Sequence, residues 1–505
     1  MARKNRSHGR KGADLEQARL RLNTAMQEMK GGQTNKARRL LNDLLSDYPD
    51  YPAAMANLGL VNLVAGQAET AHEVLLRAYT LDPENTHIIA LLGAACVKLK
   101  RHAFAAQLTA PLVKLDPKNV EVNTTYADAL VGLRDFHAAR TVLERLTSLD
   151  KEQSRHWLTL AEVAAHLGDF ELRAKALSQA FQCGDRSASL ILDMLDNREA
   201  ARSIDLNSVR ANILAAGVPK DPEGAREYWR LRMALAEGDD ETQKCLEGII
   251  EAGRKIFAFT RPEYLRTIAD RERDLARLSA VSSVKAAHPR EGIAQSVLIC
   301  GASRAGKSTV ENVLAGHHGV VRGFEGGLID AAVKKTLAAS GYPTNRSIAD
   351  IPKDLSSQFA ATYAELLNER IGDGDWYVST HPSGAALALS FAALIPNARL
   401  VFVHRDKQDT AFRQLLRRYR TGNVHSNDLA ATQDYLEWNA QMMDRTAQLL
   451  PEMSISLSYE DLVSKTDETL ASLYQFIGLN DASSRSPDIF DDRGCGKLLA
   501  PFINA

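Results

Sequence analysis

A repeat with a period of 34 residues in the first third of the chain constrains the fold of this 505-residue protein more than any other feature. Short phrases that contain Asp-Pro or a variant of it recur with this step, with the matching position at Pro49, Pro83, Pro117 and Lys151. Small side chains recur with the same step at Ala37, Ala71, Ala105 and Ala139. Alanine at such spacing lets two helices approach closely, and Asp-Pro ends one helix pair and begins the next because proline suits a first helical turn.

These helix pairs resemble tetratricopeptide repeats (TPR). A single pair cannot bury its apolar face, so several must stack. We expect an N-terminal all-α TPR solenoid of about five repeats over residues 15–183, with a groove that binds a protein or peptide. A plain helical scaffold without a partner is the alternative. Residues 1–14 are predicted to be a basic disordered tail, and residues 184–290 a helical cap and connector.

Composition excludes several classes of protein. Lys and Arg number 62 and Asp and Glu 63, a formal net charge of −1, which argues against a nucleic-acid-binding protein. No apolar run has the length of a membrane-spanning helix, and the N-terminus lacks the apolar core of a secretory signal. The five cysteines are scattered and form no Cys-x-x-Cys pair, which favours a reducing, cytoplasmic location without a zinc site.

A phosphate-binding loop is predicted after residue 296. The apolar run SVLIC, a strand candidate, is followed by GASRAGKS and then by a helical pattern. This stretch matches the pattern G-x-x-x-x-G-K-[ST] from Gly301 to Ser308. Backbone amides and the helix N-terminus attract an anion. Arg304 and Lys307 would add charge, and Ser308 and Thr309 would add hydroxyl groups.

A second anion site is predicted beyond the strand ARLVFVH, because ligand contacts in doubly wound sheets gather where strands end. Arg405 follows this strand directly. Arg413 and Arg417 come next, four residues apart, and would share one face of the following helix. Guanidinium groups so arranged can clamp a phosphate.

These motifs in this order resemble sulfotransferases that use 3′-phosphoadenylyl sulfate (PAPS), most closely bacterial TPR-containing sulfotransferases and more distantly tyrosylprotein sulfotransferases. The resemblance covers roughly residues 296–480. It implies a C-terminal α/β domain over residues 291–505, with a P-loop-like parallel sheet and PAPS as co-substrate, without a metal. The loop that would hold the 5′-phosphosulfate corresponds to Ser303, Arg304, Ala305, Gly306, Lys307 and Ser308.

The resemblance also assigns roles to later residues. Glu325 takes the place of the general base, and Arg405 is the strand-end arginine for the 3′-phosphate. The phrase SYEDL matches a family motif in which Tyr459 approaches the nucleotide phosphates. Arg304 and Lys307 would stabilise charge on the leaving phosphate.

The sequence departs from the family at several positions. Ser303, Ala305 and Lys307 replace the loop Pro, Ser and Thr. The family's Ser in the 3′-phosphate helix is Arg413 here, and its catalytic Lys is Thr380. We expect Lys307 to restore the charge missing at Thr380.

Two other functions stay open. An inactive, nucleotide-binding TPR adaptor would retain the loop and lack turnover. A P-loop NTPase or kinase would need Mg²⁺, for which Asp406 is the obvious strand-end ligand. For a sulfotransferase, the acceptor hydroxyl belongs to a peptide tyrosine, a glycan or a small molecule.

Overall fold

The computed structural model describes residues 2–325, 327–344, 346–419, 422–479, 489, 491 and 493–503, without the side chains of residues 2–15, 198 and 503. The chain forms two compact units. One comprises residues 1–165 and 171–185, and the other comprises residues 166–170 and 186–505.

Helix pairs occupy the repeat region. In chain order α1 to α10 span Ala2–Lys30, Thr34–Asp47, Pro52–Val64, Ala68–Leu81, Thr86–Lys98, His102–Leu115, Val120–Gly132, Phe136–Leu149, Ser154–Leu167 and Phe170–Gln182. The predicted all-α repeat architecture is thus confirmed. Helix α1 includes residues 2–14, for which the sequence predicted a disordered tail.

The period of 34 residues arises from close contacts between helices. The four alanines in this register, Ala37, Ala71, Ala105 and Ala139, are completely buried. A side chain at Gly59 in α3 would overlap Leu75 in α4, so the small residue permits the approach of the two helices. Pro83 and Pro117 do not lie in the first turn of a helix, where the sequence predicted them. Pro83 and Pro117 lie in turns, and the side chains of Asn85 and Asn119 cap the helices instead.

Helices continue beyond the repeats. α11 to α15 span Ala188–Leu195, Arg198–Ala201, Leu206–Ala216, Pro222–Ala234 and Asp239–Ser279. The stretch from residue 280 to 294 has no helix or strand. This region is helical as its pattern indicated, while the domain boundaries at residues 183 and 290 stay predictions.

A five-stranded parallel sheet forms the C-terminal part of the second unit. β1 to β5 span Gln295–Cys300, Val320–Phe324, Trp376–Thr380, Ala398–His404 and Ser454–Ser458, in the spatial order β2-β3-β1-β4-β5. The helices of this part, α16 to α24, span Lys307–Leu314, Leu328–Ala339, Ser356–Ile371, Gly384–Leu394, Lys407–Leu416, Leu429–Leu449, Tyr459–Ser464, Thr466–Ile477 and Ala500–Ile503. The predicted α/β fold with a parallel sheet is confirmed.

The central strand is buried on both faces. Leu298 and Cys300 of β1 point into one apolar cluster, and Val297 and Ile299 point into another. Both faces of a parallel sheet are covered in this way because its crossover helices pack on them. Since β1 lies between β3 and β4, the segments that follow these three strands meet at one edge. Within the described residues, none of the helices combines the length and the apolar character that crossing a bilayer requires.

Candidate functional site

The loop between β1 and α16 has a tight backbone. Arg304 has a φ of +69° and Gly306 a φ of +101°. A side chain at Gly306 would overlap the ring of Tyr459, so glycine is needed both for the backbone angle and for this contact. The first amides of a helix have no intrahelical acceptor, and α16 therefore begins with donors available to an anion.

The side chain of Lys307 binds the main chain of its own loop. Its side chain is buried, and Nζ donates to the carbonyl oxygens of Gly301 at 2.9 Å and Ala302 at 2.8 Å. Burial lowers the pKa of Lys307, while the carboxylate of Glu325 opposes this shift. Since an ammonium has three N–H donors, one remains for an anion at the loop.

Arg405 joins the loop to the end of β4. Its Nη1 donates to the carbonyl oxygen of Arg304 at 3.3 Å, and its guanidinium lies 4.4 Å from the ring centre of Tyr459. Nη2 is 3.9 Å from Oδ2 of Asp409, and 3% of the Arg405 side chain is exposed. The fold therefore brings together Arg304, Arg405 and Tyr459, which come from three separate segments of the chain.

Arg413 and Arg417 are not arranged along one helix as the sequence predicted. Arg413 lies on α20, but α20 ends at Leu416 and Arg417 is extended, so the two do not share one helix face. The buried guanidinium of Arg230 explains this end: its Nε and Nη2 donate to the carbonyl oxygen of Leu415, at 3.0 and 2.7 Å. An additional helical turn would need that oxygen.

Positive charge still accumulates around Arg304. Loss of surrounding water, followed by the charges of Arg417 and Arg413, lowers the pKa of Arg304. Nη1 of Arg417 lies 2.9 Å from Oδ2 of Asp196, the residue that ends α11. The three arginines thus form one positively charged cluster, whose charge Asp196 partly offsets.

Glu325 follows β2 directly. Its carboxylate is close enough to Lys307 and Glu311 to raise the pKa of both groups. Oε2 lies 3.7 Å from Nδ1 of His166, which belongs to the same compact unit. The side chain is 38% exposed, so an acceptor group from solvent can reach it.

Glu311 is a charged residue of this region that the sequence analysis missed. It lies one helical turn after Lys307 on α16, is 1% exposed, and its Oε2 is 3.0 Å from Nε of Arg322. Burial raises its pKa to about 7, although Arg322 acts in the opposite direction. The sequence around Glu311 does not indicate that its side chain is buried, because this burial depends on the packing of α16 against β2 and β3.

The remaining predicted residues differ in exposure. Ser303 and Thr309 are half-buried, Ala305 is buried and Ser308 is exposed. Thr380 ends β3 beside Ile299 of β1, and it is buried and uncharged.

The C-terminal segment also reaches this edge. The carboxylate of Asp409 accepts hydrogen bonds from the amides of Gly494 at 2.7 Å and Gly496 at 2.6 Å. Between these residues and α23, Arg493 donates to Asp491 and interacts electrostatically with Glu460. No local sequence pattern indicates this cation, because it is far along the chain from the other candidate site residues.

The candidate magnesium ligand has a structural role. Asp406 caps α20 by accepting from the amide of Asp409 at 2.9 Å, and its own amide donates to Oε1 of Glu460 at 2.9 Å. Among the described residues, no three His, Cys, Asp or Glu side chains are grouped so that they could hold a metal ion.

Two family models match the chain. Residues 296–483 match the sulfotransferase family, and residues 22–86 and 125–187 match the tetratricopeptide repeat. The resemblance to TPR-containing sulfotransferases is thus confirmed. No curated protein matches the chain.

Solved structures of TPR proteins are similar to part of the chain. PilF of Pseudomonas aeruginosa is 18% identical with a TM-score of 0.35, and the match covers 46% of this chain and 97% of PilF. MamA from Desulfovibrio magneticus RS-1 is 17% identical with a TM-score of 0.30, over 33% of this chain and 94% of MamA. YrrB, described as a TPR protein with an unusual peptide-binding site, is 18% identical with a TM-score of 0.29, over 34% of this chain and 88% of YrrB.

Proposed function

We propose, because residues 296–483 form a sulfotransferase-family domain that follows tetratricopeptide repeats, that the protein transfers a sulfuryl group from PAPS to an acceptor hydroxyl. One observation carries this proposal. Nη1 of Arg405 lies 3.3 Å from the carbonyl oxygen of Arg304, so the strand-end arginine is next to the phosphate loop. A nucleotide with phosphates at both its 5′ and 3′ positions needs two such anion sites side by side.

The residues present suit such a nucleotide. On the 5′ side, the amides at the start of α16 and the side chains of Arg304, Lys307, Ser308 and Thr309 would bind the phosphosulfate. On the 3′ side, Arg405, Arg413 and Arg417 would bind the other phosphate. Tyr459 would support both sides, since its ring touches Gly306 and lies under the Arg405 guanidinium.

Each proposed catalytic residue has one task. PAPS supplies the sulfuryl group. Glu325 would accept the proton of the acceptor hydroxyl as the new O–S bond forms. Arg304 and Lys307 would stabilise the negative charge on the phosphate oxygen as the old S–O bond breaks, and 3′,5′-adenosine bisphosphate leaves. Lys307 would thereby compensate for the uncharged Thr380.

The repeats would bind a protein or peptide that is the acceptor or carries it. The acceptor hydroxyl belongs to a peptide tyrosine, a glycan or a small molecule. A cytoplasmic location is supported by the five cysteines, all free in the structure.

A second candidate is an inactive nucleotide-binding adaptor. Two observations favour it: Thr380 carries no charge, and two N–H donors of Lys307 are occupied by loop carbonyls. Such a protein would bind the bisphosphate without transferring sulfate.

Thermal-shift measurements separate these functions. The full chain is melted with 3′,5′-adenosine bisphosphate, with ATP and Mg²⁺, and alone. Bisphosphate at a hundred times its Kd should stabilise the protein by about 2.7 kcal/mol without metal. Preference for ATP with Mg²⁺, or no stabilisation by the bisphosphate, would contradict the proposal.

A labelling experiment then tests catalysis. The protein is incubated with ³⁵S-labelled PAPS and a cell lysate, with Glu325→Gln as the control. Label that depends on Glu325 supports transfer. Bisphosphate binding without any label would support the adaptor instead.

A further inference from the structure

We propose that Tyr419 and Gln414 are positioning residues, which hold Ser303 and so keep the phosphate loop in its anion-binding conformation before the nucleotide arrives. This inference rests on the proposed function for its ligand. It adds two residues to which neither the sequence motifs nor the family match gives a role.

Ser303 accepts one hydrogen bond at its side-chain oxygen and one at its main-chain oxygen. The hydroxyl of Tyr419 donates to Oγ of Ser303 at 2.8 Å. Nε2 of Gln414 donates to the carbonyl oxygen of Ser303 at 2.9 Å. Both donors come from α20 and the residues just after it, the same segment that carries Arg413 and Arg417.

A buried histidine contacts the other end of the Gln414 amide. Nε2 of His425 lies 3.2 Å from Oε1 of Gln414, and the imidazole stacks on the Tyr435 ring at 3.9 Å between ring centres. Burial lowers the pKa of His425 to about 3, so the ring is neutral and its Nε2–H can donate to the amide oxygen. The NH₂ group of Gln414, which is completely buried, then points to Ser303.

The next residue explains why the loop needs this support. Arg304 has a φ of +69°, a conformation that is unfavourable for a residue with a Cβ. Such a backbone persists when the surrounding contacts overdetermine it. Ser303 is held by Tyr419 and Gln414, and the Arg304 carbonyl accepts from Arg405.

A common anchor has a consequence for binding. The 5′ loop and the arginines for the 3′-phosphate are joined by hydrogen bonds in the ligand-free protein. Their separation is therefore set in advance, and less conformational entropy is lost when one nucleotide engages both. Removing the anchor should weaken binding although no anion contact is deleted.

Tyr419→Phe tests this role, with Tyr363→Phe as the matched control. The hydroxyl of Tyr363 also donates to a serine, Ser296 Oγ at 3.2 Å, but this serine lies at the other end of β1 from the loop. Each variant loses one tyrosine–serine hydrogen bond, part-buried at Tyr419 and buried at Tyr363. We expect Tyr419→Phe to raise the Kd of 3′,5′-adenosine bisphosphate about threefold to tenfold, and Tyr363→Phe to change it less than twofold. Equal changes in Kd for the two variants would overturn the proposal.

Two further measurements isolate the mechanism. In a Ser303→Ala background, Tyr419→Phe should have no additional effect on Kd, because the two residues act through one hydrogen bond. Independent effects that multiply would contradict it. Hydrogen exchange of the ligand-free protein should be faster at residues 301–306 in Tyr419→Phe and in Gln414→Met, and unchanged in Tyr363→Phe.

The exchange measurement needs no nucleotide. Unchanged exchange in both loop variants would therefore refute the positioning role even if the protein binds the bisphosphate. Faster exchange in a protein that binds no bisphosphate would instead refute the proposed function and leave the loop anchor standing.

Discussion

Replacing Glu311 by glutamine should remove a large part of the pH dependence of stability in the second unit. Glu311 is 1% exposed and its ion-pair partner is Arg322. Burial raises its pKa from 4.5 to about 7, even with the guanidinium 3.0 Å away. Glutamine has nearly the same shape and cannot ionise.

The size and sign of the effect follow from the two pKa values. The folded protein holds this proton more tightly than the unfolded chain, so folding takes up a proton between pH 4.5 and about 7. The contribution of Glu311 to the free energy of unfolding is therefore largest below pH 4.5 and is lost as the pH rises through 7. A rise of the Glu311 pKa from 4.5 to about 7 corresponds to about 3 kcal/mol in the free energy of unfolding.

Chemical denaturation of the full chain at pH 5, 6, 7 and 8 measures this difference. Glu311→Gln should differ least from the wild type at pH 5 and become more stable relative to it as the pH rises, by up to about 3 kcal/mol at pH 8. The control is Glu365→Gln, since Glu365 forms an exposed ion pair with Lys335 at 2.9 Å. A stability difference between Glu311→Gln and the wild type that is the same at pH 5 and pH 8 would refute the reasoning.

Three other variants test the site. Glu325→Gln should keep the bisphosphate Kd within about twofold and slow transfer by about 10²–10⁴-fold, as the loss of a general base does; unchanged turnover in the labelled-PAPS assay would remove Glu325 from the mechanism. Arg405→Ala should weaken 3′,5′-adenosine bisphosphate more than adenosine 5′-phosphosulfate in calorimetry, and equal losses would contradict its 3′-phosphate role. Gly306→Ala should abolish thermal stabilisation by the bisphosphate and destabilise the protein by about 1–3 kcal/mol, because it combines a φ of +101° with overlap on Tyr459. Gly341→Ala, at a φ of +73° with open space around it, is the control for the backbone effect alone.

Local patterns identified the parts of the site that lie close together in the sequence. The turn between β1 and α16 could be located because its glycines and Lys307 follow an apolar strand and precede a helix within a few residues. Arg405 could be located because it directly follows the apolar strand ARLVFVH. Glu311 and Arg493 were missed because neither has a neighbouring residue pattern that signals burial or proximity to the loop.

One prediction was wrong for a reason that no local pattern contains. Arg413 and Arg417 have the spacing of one helix face, but the helix ends before Arg417. The carbonyl that an additional turn would need accepts hydrogen bonds from Arg230, a residue 185 positions earlier in the chain.

The amino-acid sequence was sufficient for the repeat architecture, the parallel sheet and the position of the glycine-containing turn after β1, because helix periodicity, strand burial and turn chemistry act between residues near each other in the chain. The hydrogen bond from Arg405 to Arg304, the pKa of Glu311 and the anchors of Ser303 depend on the folded protein. They arise because the strand order β3-β1-β4 and its packed helices bring together residues that are about 10 to more than 100 positions apart. Short-range chemistry therefore specified the elements of this protein, and the packing of those elements specified the electrostatics of its candidate site.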